Sequence, residues 1–156
     1  MATIMVNIAQ IRVATPADRL CALGLGSCVG VVLYDSGAKV AAMLHVLLPE
    51  TDVPDRKDRT KYADPGIRDL VDAVVQAGAK RVNLQAKIAG GASVLASGVG
   101  MGIGQKNGEV CQRVLNELNI RIAAKDLGGT SGRSVTFDPE TGIMYIRKLL
   151  GGESEI

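Results

Sequence analysis

The sequence contains no tryptophan, and aromatic residues make up only 3% of its 156 residues. Hydrophobic residues still reach 47%, so the core must be built mainly from Val, Ile, Leu, Ala and Met. No apolar run approaches the roughly 18 residues of a membrane span. The N-terminus also lacks the basic cluster and long apolar stretch of a signal peptide. The length predicts a single domain over residues 1–150. Residues 151–156, which begin with two glycines, are expected to form a flexible tail.

Basic clusters and paired cysteines are missing as well. The net charge is only +2, with Lys and Arg dispersed, which argues against a nucleic-acid partner. The three cysteines are an odd number without a secretory signal, so we expect free thiols and a cytoplasmic location. They are scattered rather than in CxxC pairs, so no metal site is predicted. Because His45 is the only histidine, any Cys–His chemistry must use it.

The hydrophobic pattern predicts about eight or nine strands and two helices in mixed order. The helices are expected to begin at Asp64-Pro65 and at Asn107, where Asp and Asn can cap free backbone N–H groups. The predicted strands lie within 4–13 and over 28–34, 40–48, 82–88, 120–124, 134–137 and 143–149. Hairpins at both ends of the chain favour an α+β (mixed α/β) layered domain with largely antiparallel pairing.

A glycine-rich segment surrounds Cys28, with Gly24 and Gly26 before it and Gly30 after it. Such a segment turns tightly and leaves backbone N–H groups free, here those near Gly26 and Ser27. These groups are candidates to hold an oxyanion, and they would also favour the reactive thiolate. The spacing matches a nucleophile elbow, but that elbow leads into a helix and the residues after Cys28 favour a strand.

A hairpin joining 28–34 to 40–48 would bring Cys28, at the start of its first strand, near His45, at the end of its second. The sequence therefore predicts a Cys–His dyad. The alternative is that both residues are buried packing groups, since free Cys commonly behaves as a small hydrophobe. That reading is favoured for Cys111, beside the apolar stripe of the second helix, and for Cys21, which has no special context.

The stretch 90–104 carries six glycines, at 90, 91, 98, 100, 102 and 104. It lacks the Gly-Lys-Ser/Thr ending of a phosphate-binding loop and the GxGxxG pattern. A loop that borders a substrate cleft is the better prediction.

Several segments in a specific order make the sequence resemble the CheD family of chemoreceptor glutamine deamidases. They are LGLGSCVGVVLYD (23–35), MLHVLLPE (43–50), KYAD (61–64), AKIAGGAS (86–93), IGQKN (103–107), DLGG (126–129) with Arg133 and Ser134, and TGIMYIRK (141–148). The resemblance covers almost the whole chain. It implies hydrolysis of glutamine side-chain amides on methyl-accepting chemoreceptors, without a cofactor, by Cys28 as nucleophile and His45 as base.

The resemblance also implies a fold and a partner. The fold would be a mixed β-sandwich with outer helices, as in the cytotoxic-necrotizing-factor deamidase toxins. Many family members bind CheC, a phosphatase of the phosphorylated response regulator CheY. The shared segments supply the substrate-cleft candidates Gly90, Gly91, Asn107, Asp126, Gly128 and Gly129.

One departure from the family stands out. The third catalytic residue is a Thr six places before the Cys, and this chain has Ala22 there. Ser27, Cys21, a backbone carbonyl or a water are the alternatives for orienting His45. The departure also keeps open a weakly catalytic or non-catalytic role as the regulatory partner of a CheC-type phosphatase. A general cysteine protease or acyltransferase has no support beyond the dyad itself.

Overall fold

The computed structural model describes residues 2–93 and 102–156. Within them lie two α-helices, α1 (Ala63–Gln76) and α2 (Ile103–Glu117), and short 3-10 turns at Arg59–Lys61 and Arg81–Asn83. The ten strands are β1 (Ala2–Met5), β2 (Ile11–Ala14), β3 (Asp18–Leu25), β4 (Val29–Asp35), β5 (Val40–Val46), β6 (Gln85–Gly90), β7 (Arg121–Leu127), β8 (Arg133–Asp138), β9 (Ile143–Lys148) and β10 (Gly152–Glu155).

The strands form two five-stranded sheets. The first has the order β1-β3-β8-β9-β10 and the second the order β2-β5-β4-β6-β7. The pairs β1–β3 and β6–β7 are parallel and the others are antiparallel. The predicted α+β class with largely antiparallel pairing is confirmed.

The elements stack in three layers. Side chains from both sheets meet in one apolar cluster, which includes Leu20, Val32, Met43, Val135 and Phe137. A second cluster lies on the other face of the second sheet, where α1 and α2 pack onto it. The chain is therefore a sandwich of two sheets with its helices outside, as expected.

The central hairpin β4–β5 is buried on both faces. Val31 and Leu33 face the helices, whereas Val32 and Tyr34 face the first sheet. All residues of both strands are buried, which explains why their sequences are apolar without alternation. This hairpin is the most enclosed part of the fold, and it carries His45.

The starts of α1 and β6 differ from the prediction, and no strand was predicted over β3. Helix α1 begins at Ala63, and Asp64 lies in its first turn without making a side-chain capping bond. Val82 belongs to a 3-10 turn and is 89% exposed, so β6 starts only at Gln85. The alternation of apolar and polar residues that begins at Val82 therefore spans two elements, a 3-10 turn and then a strand.

The end of the chain also differs from the prediction, because residues expected to form a frayed tail make up β10. This strand pairs antiparallel with β9. Ile156 then exchanges two backbone hydrogen bonds of 2.9 Å with Met144. No helix of the described ranges is long and apolar enough to cross a membrane.

Candidate active site

Cys28 and His45 lie on the same face of the β4–β5 hairpin. Gly30 is directly opposite His45, and Cys28 precedes Gly30 by two positions, so both side chains point toward the first sheet. Side chains placed diagonally in this way have backbones about 7–8 Å apart and approach more closely at their tips. Exposure is only 8% for Cys28 and 5% for His45.

Gly30 leaves the position facing the imidazole without a side chain. A Cβ added there would come within 3.4 Å of Leu25 Cδ1 and 3.6 Å of Val135 Cγ2. Both of these residues belong to the first sheet. The space beside His45 is thus bounded by apolar groups of the opposite layer.

The His45 ring is fixed by a backbone carbonyl. His45 Nδ1 lies 3.1 Å from Val6 O. Because a carbonyl oxygen can only accept, Nδ1 must carry the proton, and the neutral ring keeps its lone pair on Nε2. Burial lowers the pKa of His45, and the Val6 carbonyl offsets part of that effect. The imidazole is therefore neutral at neutral pH and able to act as a base.

The Cys28 thiol is also uncharged at rest. Burial raises its pKa, and its own backbone N–H opposes that change only in part. The glycine loop predicts a stabilised thiolate, but here desolvation of the buried sulfur outweighs the effect of the loop. The site is thus a neutral thiol–imidazole pair, so the proton must leave the sulfur as substrate is attacked.

The segment Gly26–Cys28 is held through its three carbonyl oxygens. Ala92 N donates to Gly26 O and Gly91 N donates to Cys28 O, each at 2.9 Å. The Asn107 side chain donates to Ser27 O at 2.9 Å. Within residues 2–93 and 102–156, the backbone N–H groups of Gly26, Ser27 and Cys28 have no backbone acceptor. They remain candidates for binding an oxyanion.

Asn107 does not cap α2, contrary to the prediction. The helix begins earlier, at Ile103, and Gly102 occupies the N-cap with φ +88°. The buried Asn107 side chain instead donates from Nδ2 to Ser27 O at 2.9 Å and to Leu47 O at 3.0 Å. One amide therefore ties the segment before Cys28 to the segment after His45.

Two glycines at the end of β6 permit close backbone contacts. A Cβ on Gly90, whose φ is +121°, would collide with the Cys28 carbonyl oxygen. A Cβ on Gly91 would lie 2.7 Å from Gly104 O at the start of α2. The backbone of the Cys28 segment, the end of β6 and the start of α2 can pack together only because these side chains are absent.

Asp126 pairs with the buried Arg133 and is itself half-buried. Its carboxylate lies 3.2 Å from Nη1 of Arg133, which is only 2% exposed, and 3.3 Å from Lys148 Nζ. Arg133 also donates to the carbonyl oxygens of Asp126, Gly128 and Ser131. These contacts fix the turn after β7.

Three of the cleft candidates line one groove. Gly91, Gly128 and Gly129 border a groove of about 290 Å³ beside α2. Gly128 N donates to Gly90 O, and Ser93 N donates to Gly129 O. Asn107 and Asp126 do not line the groove, and Gly98 and Gly100 of the glycine-rich stretch lie outside the described residues.

The other cysteines lie apart from this pair. Cys111 lies on α2, fully buried in the cluster between the helices and the second sheet, and burial raises its pKa to about 12. Cys21 lies on β3 with its sulfur 3.6 Å from Thr136 Oγ1. Across the part of the chain that the structure describes, no three His, Cys, Asp or Glu side chains are grouped to hold a metal ion.

Comparison with known proteins gives the family. The model described as CheD chemotactic sensory transduction matches residues 47–148. The protein named chemoreceptor glutamine deamidase CheD from Halalkalibacterium halodurans is 43% identical over 98% of this chain and 98% of its own length. The chain belongs to the CheD family. The proteins of the same name from Thermotoga maritima and Bacillus subtilis are 42% and 36% identical, over 96% and 98% of this chain and 94% and 95% of their own lengths.

The CheD relatives cover Cys28 and His45, which precede the stretch matched by the family model. Ala22, where the resemblance implies a threonine, is fully buried in β3 opposite Val135. It belongs to the same apolar cluster as Cys28. Its methyl group offers His45 no hydrogen-bond partner.

Val6 was not among the residues predicted to belong to the site. Its contribution is a backbone carbonyl, which every residue type carries, so no side-chain signal marks it. A backbone carbonyl was only one of four alternatives for the missing hydroxyl. The burial of Arg133 was not predictable from the sequence either, since a lone arginine is normally exposed.

Proposed function

We propose that this CheD-family chain is a protein-glutamine deamidase that converts glutamine side chains of methyl-accepting chemoreceptors to glutamate. The observation that carries the proposal is the neutral Cys28–His45 pair on one face of a buried hairpin, with His45 Nδ1 held by Val6 O. Further support comes from full-length relatives named chemoreceptor glutamine deamidase. A cytoplasmic location is part of the proposal.

The first half of the reaction forms a thioester. His45 Nε2 takes the Cys28 thiol proton as Sγ attacks the glutamine Cδ, so that a sulfur–carbon bond forms and the carbonyl oxygen becomes an oxyanion. The backbone N–H groups of Gly26–Cys28, which have no backbone acceptor within the described residues, stabilise this charge. His45 then returns the proton to the amide nitrogen, the carbon–nitrogen bond breaks, and ammonia leaves.

The second half releases glutamate. His45 takes a proton from water, the oxygen bonds to Cδ, the carbon–sulfur bond breaks, and the proton returns to the sulfur. The product is a carboxylate in place of a neutral amide. On a receptor helix this adds one negative charge and creates a side chain that can be methylated.

The test is peptide mass spectrometry of a receptor cytoplasmic fragment incubated with the protein, scored for conversion of glutamine to glutamate. We expect conversion with the wild type and none with Cys28→Ser. Cys21→Ser is the matched control, since it removes another nearly buried thiol, and it should keep activity. Full conversion by Cys28→Ser would refute the role of Cys28.

The second candidate function, a regulatory partner of a CheC-type phosphatase, is favoured by Ala22. The Val6 carbonyl weakens that argument, because it supplies an acceptor for His45 without the hydroxyl. If the wild type binds such a phosphatase but converts no receptor glutamine, the regulatory function replaces the enzymatic one.

A further inference from the structure

The connection between β1 and β2, residues 6–10, wraps around His45. Ala9 N donates to His45 O at 2.9 Å, and His45 N donates to Gln10 O at 3.3 Å. Both backbone groups of His45 are therefore bound on the β2 side. The ring makes the third contact, from Nδ1 to Val6 O at 3.1 Å.

This third contact is well protected. Val6 is only 1% exposed and belongs to the apolar cluster between the sheets. Bulk water therefore does not compete for its carbonyl, and a hydrogen bond in such surroundings is stronger than one at the surface. The carbonyl can only accept, so it selects one tautomer of the ring.

Val6 also lies beside Ala22, the position at which the family's threonine hydroxyl is missing. The pairing of β1 with β3 ends at Met5 opposite Cys21. The Val6 N–H extends the pairing by donating to Cys21 O at 2.8 Å. The next residue of β3 is Ala22, so the acceptor belongs to the residue that directly follows β1, the strand beside the family's threonine position.

We propose that the Val6 backbone carbonyl is the positioning group that orients His45 for catalysis, in place of a hydroxyl at position 22. It holds the proton on Nδ1, keeps the Nε2 lone pair available for the Cys28 thiol, and stabilises the imidazolium that forms during attack. The kinetic part of this proposal rests on the proposed deamidase function. The contact itself does not.

A backbone ester tests the carbonyl directly. Replacing Asn7 by its α-hydroxy counterpart converts the Val6–Asn7 amide to an ester, whose carbonyl is a weaker acceptor. The full chain can be assembled without any other change, because a synthetic segment 1–20 can be ligated to a segment that begins with the native Cys21.

A matched control separates the two effects of the ester. The substitution also removes the Asn7 N–H, which donates to Gln10 Oε1 at 3.0 Å. Gln10→Met removes the same bond and keeps the amide carbonyl of Val6. Both Asn7 and Gln10 are exposed, so neither change disturbs the core.

The first readout is nitrogen NMR of the imidazole, which is unambiguous because His45 is the only histidine. We expect a protonated Nδ1 in the wild type and in Gln10→Met. In the ester variant the share of that tautomer should fall, and so should the pKa of His45. The ester variant should also lose about tenfold in kcat, with KM unchanged.

A side-chain variant gives an independent check. Ala22→Thr should bring no gain in kcat, because Val6 O already occupies Nδ1. A wild-type ring protonated on Nε2, an ester variant with wild-type tautomer and kcat, or a raised kcat in Ala22→Thr would each overturn the proposal. Lack of ammonia release by the wild type refutes the proposed function instead, so the two failures are distinguishable.

Discussion

Both members of the Cys28–His45 pair are uncharged at rest, and burial is the main cause for each. A charged thiolate–imidazolium pair would react with any electrophile that reached it. In the neutral pair, the thiolate forms only as the proton moves to His45 during attack. The site therefore favours a substrate that is already positioned against Cys28.

The two pKa shifts predict a pH dependence. The pKa of His45 lies below its ordinary value, so kcat/KM should stay high on mild acidification and fall only once the imidazole is protonated below that value. The pKa of Cys28 is raised, so the thiolate should appear only in alkaline solution. The thiolate can be measured as the difference in ultraviolet absorbance between the wild type and Cys28→Ser. A thiolate already present in mildly acidic solution would contradict this account.

The segment Gly26–Cys28 derives its geometry from two other elements, the end of β6 and helix α2. Gly91 and Ala92 bind its carbonyl oxygens through their backbone N–H groups, and Asn107 binds the one between. Because α2 also reaches Leu47 through Asn107, it fixes both ends of the hairpin relative to each other. Movement of any one of these elements would change the distance between nucleophile and base.

Gly90→Ala tests this dependence. The new Cβ would collide with the Cys28 carbonyl oxygen, so the nucleophile must shift, and such a displacement is expected to lower kcat by about a hundredfold. Gly78→Ala is the matched control, because Gly78 has nearly the same φ, +118° against +121°, with no atom within 4 Å of the added Cβ.

The positive φ costs each variant on the order of 1–3 kcal/mol. The collision adds to that cost only in Gly90→Ala, so thermal unfolding should show the larger loss of stability there. Only Gly90→Ala should also lose activity at a temperature where both are folded. Equal activity in the two variants would mean that the end of β6 does not set the position of Cys28.

The layered fold as a whole was largely predictable, because its central strands are marked by long apolar and β-branched runs. The stripe of α2 followed from helical periodicity, whereas the hairpin 28–48 followed from its continuous apolar and β-branched runs. Strand β10 did not, because its four exposed residues, Gly152–Glu155, carry no apolar alternation and are held at the sheet edge by backbone pairing and one exposed ion pair, Arg147–Glu153. Sequence patterns depend on side-chain type, so they cannot predict contacts that only backbone atoms make.

The same limit applied to the candidate site. Cys28 and His45 were found because their residue types are chemically distinctive and the hairpin brings them together. Asn107 was interpreted as a cap, because an Asn near a helix start usually has that role. Its true contacts, Ser27 O and Leu47 O, lie 80 and 60 residues away in sequence and depend on the assembled fold.

The most direct test of the Cys28–His45 account is to trap the thioester. A receptor fragment incubated with the wild-type protein and hydroxylamine should acquire a γ-glutamyl hydroxamate at the glutamine that otherwise becomes glutamate, because hydroxylamine replaces water in attacking the thioester. Cys28→Ser and a reaction without protein should give none. Conversion to glutamate at the wild-type rate by Cys28→Ser, or a wild-type reaction that leaves every receptor glutamine unchanged, would contradict the account.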